Sequence, residues 1–168
     1  MWLLALLSFC PNAQPYSKPI EYFSKKYNFD PLLVSSVIYR ESRFTNNVCY
    51  KGAHGLMQIQ LKSRSCGKQS VLRAEWKNLY DPWYNIQRGV ELLDWARSYC
   101  KSKGHKGHHW LLHYNHGIQV ITKGRAGGYA KRILKVYKYL KKLERKIKIE
   151  RSILYYKPVE VEFNAFAS

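Results

Sequence analysis

The stretch Asp30-Pro31-Leu32-Leu33-Val34-Ser35-Ser36-Val37-Ile38-Tyr39-Arg40-Glu41-Ser42-Arg43 carries both the start signal of a helix and the best candidate for chemistry in the chain. An aspartate side chain can accept hydrogen bonds from the free N–H groups of a first helical turn, and proline fits the next position because an N–H there would be unpaired anyway. The pattern predicts a helix over about 31–43. Val34, Val37, Ile38 and Glu41 recur at helical spacing and share one face, so a carboxyl group continues the apolar stripe at its C-terminal end. Burial disfavours the charged form of a carboxyl and raises its pKa, which is what a general acid for a glycosidic oxygen requires. A helix-end ion pair with Arg40, Arg43 or Arg64 would use the same residue differently, and helix position alone leaves both readings open.

Outward from this helix the punctuation stays helical. Asp81-Pro82 repeats the start signal, and Ile86, Val90, Leu93 and Cys100 mark an apolar stripe over 82–100. Trp110-Leu111-Leu112-His113-Tyr114 reads as a shorter helix ended by Gly117, and a basic helix is expected from Tyr129 to about Arg145. Strands are nearly absent. Only Ile153 to Phe163 alternates in a β-like way, predicting an appended tail. The fold class is therefore mainly α. The 168 residues amount to one domain, 46% apolar content can fill its core, and no apolar run reaches the roughly 20 residues that span a bilayer. Trp2 to Phe9 has the length of a secretory h-region, so 1–17 reads as a signal peptide, 18–146 as the catalytic domain, 147–168 as the C-terminal tail, and the protein as exported. With that leader removed, Cys49, Cys66 and Cys100 remain. The preferred disulfide is Cys49 with Cys66, closing a loop of about 18 residues.

Four motifs follow one another along the chain: Glu41-Ser42-Arg43-Phe44, Gly55-Leu56-Met57-Gln58-Ile59, Tyr114-Asn115-His116-Gly117, and Tyr129 at a helix start, with Asn78-Leu79-Tyr80-Asp81-Pro82 and Asn85-Ile86 between them. From about Ile20 to Leu140 this ordered set resembles the lytic transglycosylases of soluble, goose-lysozyme-like fold. The resemblance implies a lysozyme-like helical domain that cleaves the β-1,4 bond between N-acetylmuramic acid and N-acetylglucosamine without net addition of water. It implies Glu41 as the sole catalytic acid/base, and Ser42, Gln58, Ser63, Tyr114, Asn115 and Tyr129 around the sugar. Gln58 would reach N-acetyl and hydroxyl groups, Tyr114 would orient the sugar or the glutamic acid, and Tyr129 would form the last wall. Gly55 would permit close chain approach, while Met57 and Ile59 pack inward. Most glycosidases flank the bond with two carboxylates, and substrate-assisted enzymes are exceptions. Between Asp30 and Tyr80 the only acid besides Glu41 is Glu75.

The chain departs from the family pattern in three places. Gln60-Leu61-Lys62-Ser63 replaces the usual Met-Pro-x-Thr, with Ser63 in the threonine's place. His113-Tyr114-Asn115-His116-Gly117-Ile118-Gln119 replaces Ala-Tyr-Asn-Ala-Gly-Pro-Gly, and Arg125 stands where an acid is common. A goose-type muramidase would use the same fold, bond and glutamic acid with water as nucleophile. His105, His108, His109, His113 and His116 crowd together, and His109 and His113, spaced i, i+4, would face one side of a helix where zinc could bind, but a third ligand and a glutamate base on that helix are missing. They are expected as surface histidines near the cleft, with no metal and no cofactor. Glu91 and Asp94 share a helix flank with Gln87, Arg88 and Arg97 and are expected as solvated structural charges.

Against 29 Lys and Arg stand 11 Asp and Glu, a formal charge of +18, so an anionic partner is expected. Eleven cations lie between Lys123 and Lys148, with Glu144 the only acid among them. They suit capture of peptide carboxylates on peptidoglycan strands or of other anionic wall polymers. A basic nucleic-acid-binding module is the competing class, disfavoured because it leaves the sugar-cleaving motifs unexplained. A monomer is expected.

Overall fold

The computed structural model describes residues 1–60, 77–116 and 127–155, the side chains of 115, 116, 127 and 155 excepted. Six α-helices stand among the described residues: α1 (Trp2–Phe9), α2 (Ser17–Lys26), α3 (Pro31–Ser42), α4 (Pro82–Ser102), α5 (Trp110–His116) and α6 (Gly127–Tyr155). A 3-10 helix over Pro11–Tyr16 joins the first two. The two predicted start signals, of α3 and α4, lie where expected, and both aspartate caps form. Asp30 accepts from the Leu32 N–H at 2.8 Å, and Asp81 from the Tyr84 N–H at 2.8 Å.

A small sheet escaped the sequence reading. Strands β1 (Cys49–Tyr50), β2 (Ala53–His54) and β3 (Ile59–Gln60) form an antiparallel meander, with Cys49 opposite His54 and His54 opposite Ile59. Strands of two residues offer no alternation to detect. What makes the first hairpin is its turn, where Lys51 and Gly52 both have positive φ, 52° and 80°, as a two-residue turn matching strand twist demands. At the other end of the chain the β-like expectation is corrected: Ile153 and Leu154 continue α6 as helix, and residues 156–163 lie outside the described residues. At Ile153 and Leu154 a helix already nucleated over seven turns continues, since each further residue adds one hydrogen bond.

The core is built where the apolar faces meet. Leu32, Val34, Val37 and Ile38 of α3, Ile86, Val90 and Leu93 of α4, Leu111 of α5, and Ile133 and Leu140 of α6 have no exposed surface. Each contributes roughly 1.5–3 kcal/mol by leaving water. The segment read as a leader is helix α1, and its Ala5 and Leu6 also sit in this core, while Phe9 packs against Tyr39 and Tyr139 at 4.7 and 5.6 Å between ring centroids.

Helices α3 and α6 run antiparallel, and polar contacts at both ends fix the alignment. At the start of α3, Asp30 accepts from the Tyr137 hydroxyl at 2.9 Å and pairs with Lys141 at 3.2 Å. At its end, Glu41 meets Tyr129. The flank of α4 behaves as predicted: Glu91 accepts from Gln87, Arg88 and Tyr27, and Asp94 pairs with Arg97, whose guanidinium also donates to the Tyr27 and Asn28 carbonyls. No helix among the described residues is long and apolar enough to cross a membrane.

Candidate active site

Glu41 is the penultimate residue of α3, and the chain leaves the helix immediately after it. Arg43 takes the left-handed conformation at φ 52° and Phe44 follows at 62°, turning the backbone away so that Phe44 can bury its ring. The Glu41 side chain is thereby left half-buried at a helix end. Burial raises its pKa above the ordinary carboxyl value. Two groups oppose that rise: the Tyr129 hydroxyl, which donates a short hydrogen bond to Glu41 Oε1, and the neighbouring Arg40 charge. Burial prevails. No salt bridge reaches Glu41 among the described residues, so the ion pairs with Arg40 or Arg43 are not formed; Arg64 lies outside the described residues.

Tyr129 comes from the first turn of α6 and is buried, its hydroxyl held far from ionisation by burial and by the Glu41 charge. Its ring also lies under the Arg40 guanidinium, 5.9 Å from the ring centroid. Tyr114 of α5 completes this side of the site. Its hydroxyl donates to the Met57 carbonyl at 2.6 Å, and burial followed by the Glu41 charge raises its pKa. One tyrosine thus holds the carboxyl, and the other fastens the Gly55–Ile59 loop beside it.

That loop is rigid for reasons visible in the chain. Gly55 has φ +72°, and a Cβ there would run into the Asn85 side chain and the Leu79 carbonyl. Only glycine meets both conditions. Leu56 and Met57 are fully buried and Ile59 nearly so, as expected for inward-packing residues. Asn85, wholly buried on α4, ties the loop down with three hydrogen bonds of its amide. Its Oδ1 accepts from the Met57 N–H at 2.8 Å, and its Nδ2 donates to the His54 and Leu79 carbonyls at 3.0 and 2.8 Å. Behind the loop, His54 Nδ1 lies 3.2 Å from the Tyr80 hydroxyl, and burial lowers the pKa of that imidazole.

Two expected contacts point elsewhere. Gln58 Nε2 donates to the Val48 and Gly55 carbonyls at 3.1 and 2.9 Å, so the amide nitrogen expected at a sugar closes the loop instead, at a residue held at φ 49°. Ser42 Oγ donates back to the Ile38 carbonyl at 3.3 Å within its own helix. Asn115 lies on α5 beside Tyr114, but its side chain, like Ser63 and Cys66, lies outside the described residues. Cys49 is disulfide-bonded, and Cys10 and Cys100 are free thiols.

The expectation of surface histidines is corrected at His113, which is buried and packs edge-on against Tyr99 at 5.5 Å. It falls on the inner face of α5, one turn from Trp110. His109 is exposed and stacks with His105 at 5.7 Å, so the proposed i, i+4 pair does not share a face toward one ligand. The residue that sequence reasoning missed is Asn85. Its signal was an amide inside the apolar stripe of α4, next to Ile86, where an unpaired polar group would be costly.

The transglycosylase SLT domain family matches residues 18–136. The membrane-bound lytic murein transglycosylase E of Buchnera aphidicola subsp. Baizongia pistaciae (strain Bp) is 36% identical over 118 residues, covering 63% of this chain and 54% of that protein. The chain spans about half the length of the curated relative it matches. No solved structure matches it significantly. The match begins at α2 and ends within α6, taking in Glu41, the Gly55 loop, Asn85, Tyr114 and Tyr129, and the chain belongs to the transglycosylase SLT domain family.

Proposed function

We propose that this protein is a peptidoglycan lytic transglycosylase with Glu41 as its single acid and base. The observation that carries the reading is a half-buried carboxyl whose pKa burial raises, hydrogen-bonded by Tyr129 and without a salt bridge among the described residues. Such a group keeps its proton to higher pH than an exposed carboxyl does and can still release it. The protonated Glu41 gives its proton to the oxygen linking C1 of N-acetylmuramic acid to C4 of N-acetylglucosamine, and that C1–O bond breaks. The muramyl acetamido oxygen bonds to C1 and carries the positive charge as an oxazolinium. Glu41, now a carboxylate, takes the proton from the muramyl 6-hydroxyl as O6 attacks C1. The oxazolinium reopens to the amide, a 1,6-anhydro ring closes, and Glu41 ends protonated with no water consumed.

One carboxyl serves both steps because the acetamido group replaces a second carboxylate. Tyr129 fits this sequence: its donated hydrogen bond stabilises the carboxylate formed midway, without cancelling the burial that favours the acid at the start. Tyr114 would orient the sugar by keeping the Met57 segment in place. Because murein lies outside the cytoplasmic membrane, the activity places the enzyme at the wall.

Digestion of purified peptidoglycan, with the released muropeptides weighed by mass spectrometry, tests the reading. Products one water lighter than hydrolysis products and resistant to borohydride are expected, with Glu41→Gln reducing their release by at least ~100-fold. Fully hydrated, reducible ends would establish a muramidase in its place. Equal release by the wild type and Glu41→Gln would sink both readings.

A further inference from the structure

Beside Glu41 lies an open cavity of about 500 Å³ into which four cations converge. Arg40 comes from the last turn of α3 and Arg43 from the left-handed residue that caps it, Arg132 and Lys135 from the facing turns of α6, and Tyr39 and Val136 complete its lining. Arg132 and Lys135, spaced i, i+3, project from one side of α6, and the antiparallel packing of α3 on α6 brings them to the cavity that Arg40 and Arg43 line from the other side. All four residues are exposed. None of the four has a salt bridge among the described residues; the acid next to them in the chain, Glu41, feels the Arg40 charge but has its carboxyl held by Tyr129.

Four like charges around one hollow repel one another, and an anion seated among them relieves that repulsion. The cavity adjoins the cleavage site through a specific contact. Arg40 lies over the ring of Tyr129, and the hydroxyl of that ring holds Glu41. An anion held by Arg40 would thus be separated from the Glu41 carboxyl by the Tyr129 side chain alone.

The geometry points to a subsite for the carboxylates of the peptide carried on the muramyl lactyl group, making the enzyme selective for peptide-bearing over bare glycan strands. This rests on the reading that Glu41 cleaves the muramyl bond. The chemistry fits: carboxylates accept paired hydrogen bonds from guanidinium groups, three of the four cations are arginine, and Tyr39 and Val136 give the aliphatic part of a peptide something to lie against.

The test compares three substrates: uncrosslinked strands with free stem carboxylates, the same strands with those carboxylates amidated, and strands stripped of peptide by an amidase. Wild type is expected to show a kcat/KM at least ~10-fold higher on the first than on either of the others. In the double variant Arg132→Ala, Lys135→Ala the ratio is expected to fall to within about twofold, through KM rather than kcat, while Arg132→Lys with Lys135→Arg retains most of it. Equal wild-type rates on all three substrates, or a preference that survives in the double variant, would overturn the subsite.

A second arm does not depend on cleavage. Soluble N-acetylmuramyl tripeptide is titrated calorimetrically into Glu41→Gln with and without the double substitution. Binding that weakens with salt and is lost in the double variant supports the subsite even if no strand is cleaved, in which case only the enzymatic reading fails. Tighter binding of a single-stranded oligonucleotide than of the muramyl tripeptide at the same residues would overturn the subsite in favour of nucleic acid.

Discussion

At Glu41 the same burial that prepares an acid also costs stability. The folded chain holds the Glu41 proton to higher pH than the unfolded chain does, because desolvation raises the pKa more than Tyr129 and Arg40 lower it. Between the two values the folded state binds more protons, so stability falls as pH rises through that interval. Below the ordinary carboxyl value both states are protonated and the cost vanishes. Glutamine has the shape of the protonated acid and no charge to lose, and its Oε1 can still accept from Tyr129. Glu41→Gln is therefore expected to melt above the wild type at about pH 7.5 and together with it at about pH 3.5, as read by calorimetric scans. A difference that is absent at the higher pH, or equal at both, would mean that burial is not what sets this group. The same sign governs catalysis: the rate should decline as pH rises through the raised Glu41 pKa, since the acid form is the one that starts the reaction.

At the scale of elements, the site depends on a loop that has little structure of its own. Its three strands contain two residues each, and it holds its shape through Asn85, which satisfies one donor and two acceptors in the interior. Leucine there would fill nearly the same volume and remove the hydrogen bonds that the Asn85 amide makes to the Met57 N–H and to the His54 and Leu79 carbonyls. Each buried hydrogen bond lost in this way costs on the order of 1–3 kcal/mol. Asn85→Leu is expected to lose at least ~3 kcal/mol in urea denaturation and to abolish muropeptide release, whereas Ile86→Val, its neighbour, should lose about 0.5–1.5 kcal/mol. What the sequence makes legible divides along this line. Helices α3 and α4 announce themselves because an Asp-Pro start and an i, i+3, i+4 stripe are local signals, and Glu41 stands out as the polar residue that continues one such stripe. The meander and the role of Asn85 stay hidden because they rest on partners 28 or 31 residues away, a distance no periodicity spans. Gln58 shows the same limit from the other side. The family resemblance implies a sugar ligand there, while at φ 49° its amide nitrogen donates to the carbonyls of Val48 and Gly55.

For the molecule as a whole, α1 determines how α3, the helix that carries Glu41, is backed. It packs on α3 and α6 together, inserting Leu6 and Ala5 into the shared core and setting Phe9 between Tyr39 of one helix and Tyr139 of the other. Those two helices supply Glu41 and Tyr129, so the apolar segment at positions 2–9 acts on the site by holding its two walls in alignment. The composition of that segment alone suggests a leader; its packing gives it the mechanical part of a wedge. Leu6→Ala would open a cavity at a point with no solvent access, costing about 2–5 kcal/mol and lowering the melting temperature by roughly 4–20 °C for a chain of this size. Leu4, two residues away and 39% exposed, provides the internal control, and Leu4→Ala should change stability by no more than about 0.5 kcal/mol. Equal effects from the two substitutions, measured by thermal unfolding of the full chain, would show that α1 does not dock in solution. The larger effect at Leu6 would show that the walls of the Glu41 site are braced from the N-terminal end of the protein.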